Sequence, residues 1–245
     1  MEQSVVSADA GARGSAAAAC SQIFLSPTRA FEEVRRGAHW VWPFLICAVL
    51  SLIAFALLAP AQQIAFKDQM AQMQQKNPNL TPETLEKMRS VGQVVGIITA
   101  PVVVLVGLVI SAAIFFAILQ ISGSGLDFKR VFRGLAYAGL INSGLGALVY
   151  GIAGFASYKA GHVETASDVF PRIGLDLIGG EGIVRGLLAA VNPFSIWWLV
   201  VLVYGFAALS GRSRAAVMGP VLAGGILWIL VGGLLQGWQF SRAAG

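Results

Sequence analysis

The chain has 245 residues, 56% hydrophobic and 12% charged, with a net charge of +5 and a mean hydropathy of +0.73. A soluble domain carries about 25% charged residues, so this composition excludes an ordinary soluble enzyme and points to lipid as the solvent. The basic residues flank apolar runs and form no patch with interleaved aromatics, so the expected partner of the positive charge is anionic lipid, with no nucleic acid.

Residues 1–23 are rich in Ala, Gly and Ser, lack the apolar core of a secretory signal, and read as a disordered tail. The two cysteines, Cys20 and Cys47, make neither a disulfide framework nor a metal cluster. Ser26-Pro27 is a helix start, with Ser26 as cap and Pro27 at the first position. A helix from Pro27 to Arg36 carries Phe31 and Val34 on one side, with Arg35 and Arg36 toward the head groups, and is expected to lie on the membrane surface.

Five stretches lack Asp, Glu, Lys and Arg: 37–66, 90–126, 134–158, 186–211 and 215–241. A helix needs about 20 apolar residues to cross the hydrocarbon, and backbone in lipid must satisfy its own hydrogen bonds. The fold class is therefore all-α, a bundle of five transmembrane helices with spans near 41–59, 95–119, 134–156, 194–210 and 215–235 and short amphipathic interfacial helices. Trp40, Trp42 and Pro43 suit the head-group level at the first span. Pro101 removes a backbone donor and is expected to kink the second helix or delay its start.

The loop 60–92 is expected to hold two short helices broken at Asn77-Pro78-Asn79, the second capped by Thr81-Pro82 with Leu80 and Leu85 as a hydrophobic staple. Its Met70, Met73 and Met88 offer a soft contact surface. Glycines crowd the third span, and Gly224-Gly225 and Gly232-Gly233 fall near one face of the fifth. Small residues let helices approach in lipid, within one bundle or between two copies. Residues 182–191 form a short amphipathic helix, and Asn192-Pro193 caps and starts the fourth span, with Trp197 and Trp198 one turn in.

The short connections carry Lys129, Arg130 and Arg133, then Arg212 and Arg214, while Arg29, Arg35 and Arg36 precede the first span. Five spans place all of these on one side, which the bias of basic short loops makes the cytoplasm. The N-terminus is then inside and the C-terminus outside. No catalytic constellation, phosphate loop or serine elbow occurs. His162, Glu164 and Asp168 could hold a metal, but their spacing matches no helix-face motif. Asn142 lies mid-span and needs a partner, whether a structural hydrogen bond or a substrate.

Three segments in this order resemble the bacterial branch of the Yip-type membrane protein family. They are Phe24-Leu25-Ser26-Pro27-Thr28-Arg29-Ala30-Phe31 followed by Trp40 and Pro43; the glycine-rich third span; and Asn192-Pro193-Phe194-Ser195-Ile196-Trp197 followed by Gly205 and Ser213-Arg214-Ala215-Ala216. The likeness covers residues 24–235, within an expected domain of 24–240. It implies a five-helix membrane domain with a cytoplasmic N-terminus. Eukaryotic relatives bind Rab-type small GTPases and help form and fuse transport vesicles. This chain lacks their Asp-Leu-Tyr-Gly-Pro segment, so that interaction is not carried over.

The functional expectation is a non-enzymatic scaffold or adaptor in the cytoplasmic membrane, without a cofactor. It would work with the bilayer and another membrane protein, and a homo-oligomer fits the glycine faces. Pro27, Phe31, Arg35, Arg36, Trp42, Asn192, Pro193, Phe194, Trp197 and Gly205 are the motif and candidate contact residues. The alternative is a small transporter or channel-like subunit for an uncharged solute, its path lined by the Pro101 and Asn142 region. Charged groups are missing from the spans, which favours the first.

Overall fold

The structure is a computed structural model that describes residues 14–77, 81–164 and 166–244. Its elements are α1 (Ala16–Gln22), α2 (Pro27–Arg35), α3 (Val41–Lys76), α4 (Pro82–Ile121), α5 (Phe128–Gly139), a π-helical segment (Leu140–Gly146), α6 (Ala147–Lys159), α7 (Gly182–Ala190), α8 (Pro193–Ser210) and α9 (Arg214–Ala244). Short 3-10 turns cover Ala166–Val169 and Leu175–Ile178, and no strand occurs among the described residues.

Five helices are long and apolar enough to cross a membrane: Val41–Lys67, Glu83–Ile121, Phe128–Lys159, Pro193–Ser210 and Arg214–Ser241. The all-α five-span architecture expected from the charge-free runs is the one observed. The third span is composite, because α5, the π segment and α6 run on without a break.

Three expectations are corrected. The tail is helical over Ala16–Gln22, where the Ser15 hydroxyl accepts from Ala18 N–H at the helix start and Ala19 is buried; residues 1–13 lie outside the described residues. The Ser15 N–H also donates to the Glu33 carboxylate at 2.8 Å, which holds α1 against α2. An Ala-rich segment has high helix propensity, and this packing supplies the tertiary support a seven-residue helix needs.

The 60–92 loop with two separate short helices does not form. Helix α3 runs through Pro60 to Lys76, and α4 runs from Pro82 through Pro101 to Ile121. Each proline costs one backbone bond, and the flanking turns keep the rest. Pro101 therefore neither delays nor ends its helix. The break at Asn77-Pro78-Asn79 and the Leu80 staple fall mostly on 78–80, outside the described residues. Thr81 does cap α4, its hydroxyl accepting from Thr84 N–H at 3.3 Å.

The main core joins α1, α2, α3, α4, α5, the π segment, α8 and α9 around Phe31, Phe115, Tyr137, Leu202 and Phe206, all fully buried. Phe115 meets Trp198 edge-on and lies 6.0 Å from Phe206. A second, smaller cluster of Ala61, Val163 and Val169 fastens the connection after α6 onto the middle of α3.

Candidate functional site

At one end of the bundle, α2 docks by aromatic insertion. A Cβ built at Gly205 would overlap the Phe31 ring, and one at Gly134 would lie 3.2 Å from it. Glycine in α8 thus opens the slot that Phe31 fills. Phe31 and Val34 are buried, so the expectation that Phe31 belongs to an exposed contact surface is corrected: it is the anchor that seats α2. Pro27 holds the first position as expected, but the Ser26 side chain makes no cap bond.

Arg35 and Arg36 remain exposed, and Arg36 pairs with Glu33 at 3.1 Å. Arg35 opens on a cleft of about 400 Å³ also lined by Thr28, Glu32, Tyr204, Arg212 and Arg214. Arg214 stands 4.1 Å over the Tyr204 ring. Arg212 donates to the Ser122 carbonyl at 2.9 Å, so the α8–α9 connection is tied to the end of α4. Three arginines against one glutamate give this cleft a net positive charge.

The Asn192 motif is a helix start. The Asn192 side-chain oxygen accepts from the Phe194 and Ser195 N–H groups at 3.0 Å each, and the Ser195 hydroxyl accepts from Asn192 N–H at 2.9 Å. This reciprocal box begins α8 with Pro193 at its first position. Phe194 packs against Gly146, and Trp197 lies 5.7 Å from Phe24. Trp42 is exposed at the start of α3, as an interfacial anchor should be.

Asn142 sits in the π segment, where Ser51 of α3 donates to the Ser143 carbonyl at 3.3 Å. The Asn142 side chain forms no hydrogen bond with another described residue. It lines two adjoining chambers, of about 190 and 510 Å³. Val102 and Val103 reach the larger one, but Pro101 does not. Among the described residues no group of three His, Cys, Asp or Glu side chains could hold a metal, and this includes His162, Glu164 and Asp168.

Sequence reasoning missed the opposite end. There α7 lies on α9 through glycines: a Cβ at Gly186 would collide with the backbone of Gly233 and Gly237. The four-residue spacings Gly182/Gly186 and Gly233/Gly237 were the available signal. Buried Arg185 donates to the Phe170 carbonyl at 2.7 Å and lies 4.4 Å over the Phe240 ring. Asp176 is also buried, with one carboxylate oxygen accepting from Gly174 N–H at 2.9 Å.

Comparison with known proteins agrees with this architecture. A family model described as the Yip1 domain matches residues 21–232. The chain is 26% identical over 195 residues to a protein of Bacillus subtilis (strain 168) named membrane protein YknW, covering 79% of each chain. No solved structure matches. The family match spans all but the last turns of the five-helix bundle, and the chain belongs to the Yip1 domain family.

Proposed function

We propose that this protein is a non-enzymatic scaffold or adaptor of the cytoplasmic membrane. The observation that supports it is the α3–α4 hairpin. These helices have 36 and 40 residues, or about 54 and 60 Å at ~1.5 Å per residue. The hydrocarbon needs only about 30 Å. The excess reaches past the hydrocarbon as a two-helix arm that exposes Met88 and Val91. Exposed apolar residues on a projecting element mark a contact surface for another protein. The basic end, with Arg35, Arg212 and Arg214, faces the cytoplasm and its anionic head groups, and the arm stands on the outer side.

The test is site-specific photocrosslinking in the native membrane. Probes at Met88 and Val91 should capture one discrete protein, a second copy of the chain or another membrane protein, more efficiently than a probe at lipid-facing Ile226. Arg35→Glu with Arg36→Glu should weaken capture or surface docking more than Pro101→Ala does. Active periplasmic phosphatase fused after Lys129 would reverse the orientation. Solute flux in liposomes that Asn142→Leu or Pro101→Ala abolishes would replace the adaptor with a small transporter.

A further inference from the structure

Where α7 and α8 meet the π segment, the smaller chamber, about 190 Å³, counts Asn142, Tyr150, Asp176, Asn192 and Gln236 among its lining residues. The larger, about 510 Å³, is walled mainly by apolar side chains, among them Val103, Ile110, Leu135, Trp198 and Trp228. Asn142 and Gln236 line both, so the two chambers adjoin at these amides.

Asp176 is 1% exposed, and its Oδ2 is buried with no hydrogen-bond partner among the described residues. Neither neighbouring arginine forms a hydrogen bond to its carboxylate among the described residues. Arg172 donates to the Asp176 main-chain carbonyl at 3.2 Å, Arg185 donates to the Phe170 carbonyl, and Asp176 forms no ion pair among the described residues. A buried carboxylate oxygen without a donor is unfavourable. Neither the Asn142 nor the Gln236 amide bonds to another described residue, although the mid-span amide of Asn142 requires partners. The amide of Asn142 is presented by a π segment, a backbone form that recurs at functional sites.

From these groups we propose a binding site for an amphiphile with a primary ammonium head and an acyl chain. The ammonium carries three donors, which match the unpartnered Asp176 oxygen and the amide carbonyls of Asn142 and Gln236. The chain lies in the apolar chamber between Trp198 and Trp228. A head without N–H donors leaves the carboxylate unsatisfied, and a net anionic head is repelled by it.

Native mass spectrometry of the purified full-length protein, titrated separately with phosphatidylethanolamine, phosphatidylcholine and phosphatidylglycerol, tests this. Phosphatidylethanolamine should bind about tenfold more tightly than the other two, the size of one charge-assisted hydrogen bond. Asp176→Asn keeps an acceptor for Gly174 N–H and removes the charge; the preference should fall to about twofold or less. A Cβ at Gly232 meets nothing within 4 Å, and Gly232 lines the apolar chamber. Gly232→Leu should therefore fill that chamber and weaken all three lipids in a protein that still folds. Equal binding of the three lipids by the unaltered chain, or an undiminished preference in Asp176→Asn, would overturn the proposal. If Asp176→Asn does not fold, Asn142→Leu takes its place, and a preference kept there overturns it equally.

Discussion

The third span and the second are both membrane helices, and they are built oppositely. The Phe128–Lys159 span is the least apolar of the five, and 50% of its most apolar stretch is buried. The Glu83–Ile121 span is the most apolar, and only 22% of its corresponding stretch is buried. In water the most apolar helix would lie at the centre. In lipid no such force draws apolar helices together, because the acyl chains are as apolar as valine. Close packing goes instead to helices with small residues and aromatic inserts, such as Gly134, Gly144, Gly151 and Tyr137. The valine-rich face of α4 meets the solvent it was made for.

If that contrast holds, the largest loss of stability should come from the packed half. Phe31→Ala empties the slot over Gly205 and Gly134 and should cost about 3–5 kcal/mol, typical of a buried Phe→Ala change. Thermal unfolding in mild detergent measures it. Gly205→Leu should be damaging alone and much less so combined with Phe31→Ala, since the new side chain occupies the vacated space; simple addition of the two losses would refute this pairing.

Next comes the α7–α9 contact. Gly186→Leu forces α7 off the Gly233–Gly237 surface and should cost about 1–3 kcal/mol, as overpacking usually does. Amide exchange should rise across 182–190 while α2 and α8 keep their protection. A uniform rise in exchange would show that the two ends unfold as one unit.

Asn192→Ala removes one half of the capping box and should cost about 1 kcal/mol, again by detergent melting. The smallest effects belong to the lipid face of α4. Ile98→Ala and Val109→Ala remove exposed side chains and should change stability by less than about 0.5 kcal/mol. A large loss at either position would mean that another helix, from a second copy or a different protein, covers that face in the membrane.

The helices were legible because their signals are local. Charge-free runs of membrane length, Asn192 before Pro193, and Thr81 before Pro82 each report on a few neighbouring residues, and the structure places helices there. The 60–92 region was misread because the length of an apolar run limits a membrane crossing and not a helix, so α3 and α4 continue past their runs; Pro101 does not delay α4, because the intact turns on either side outweigh one lost bond. The α1 helix was misread because alanine and serine in a polar setting resemble a tail, and only contact with α2 makes them a helix.

The sequence by itself determined the solvent, the number of crossings and most helix starts, because those depend on composition and on contacts within one turn. The tertiary structure alone decided that Phe31 is buried inside the bundle, against Gly205 and Gly134. It alone decided that Gly186 of α7 sits on Gly233 and Gly237, and that Asp176 and Asn142 line one chamber. Two residues 34 positions apart carry no mark of their proximity in the chain; it arises from how a wide π turn and a folded-back connection divide the space beside α9.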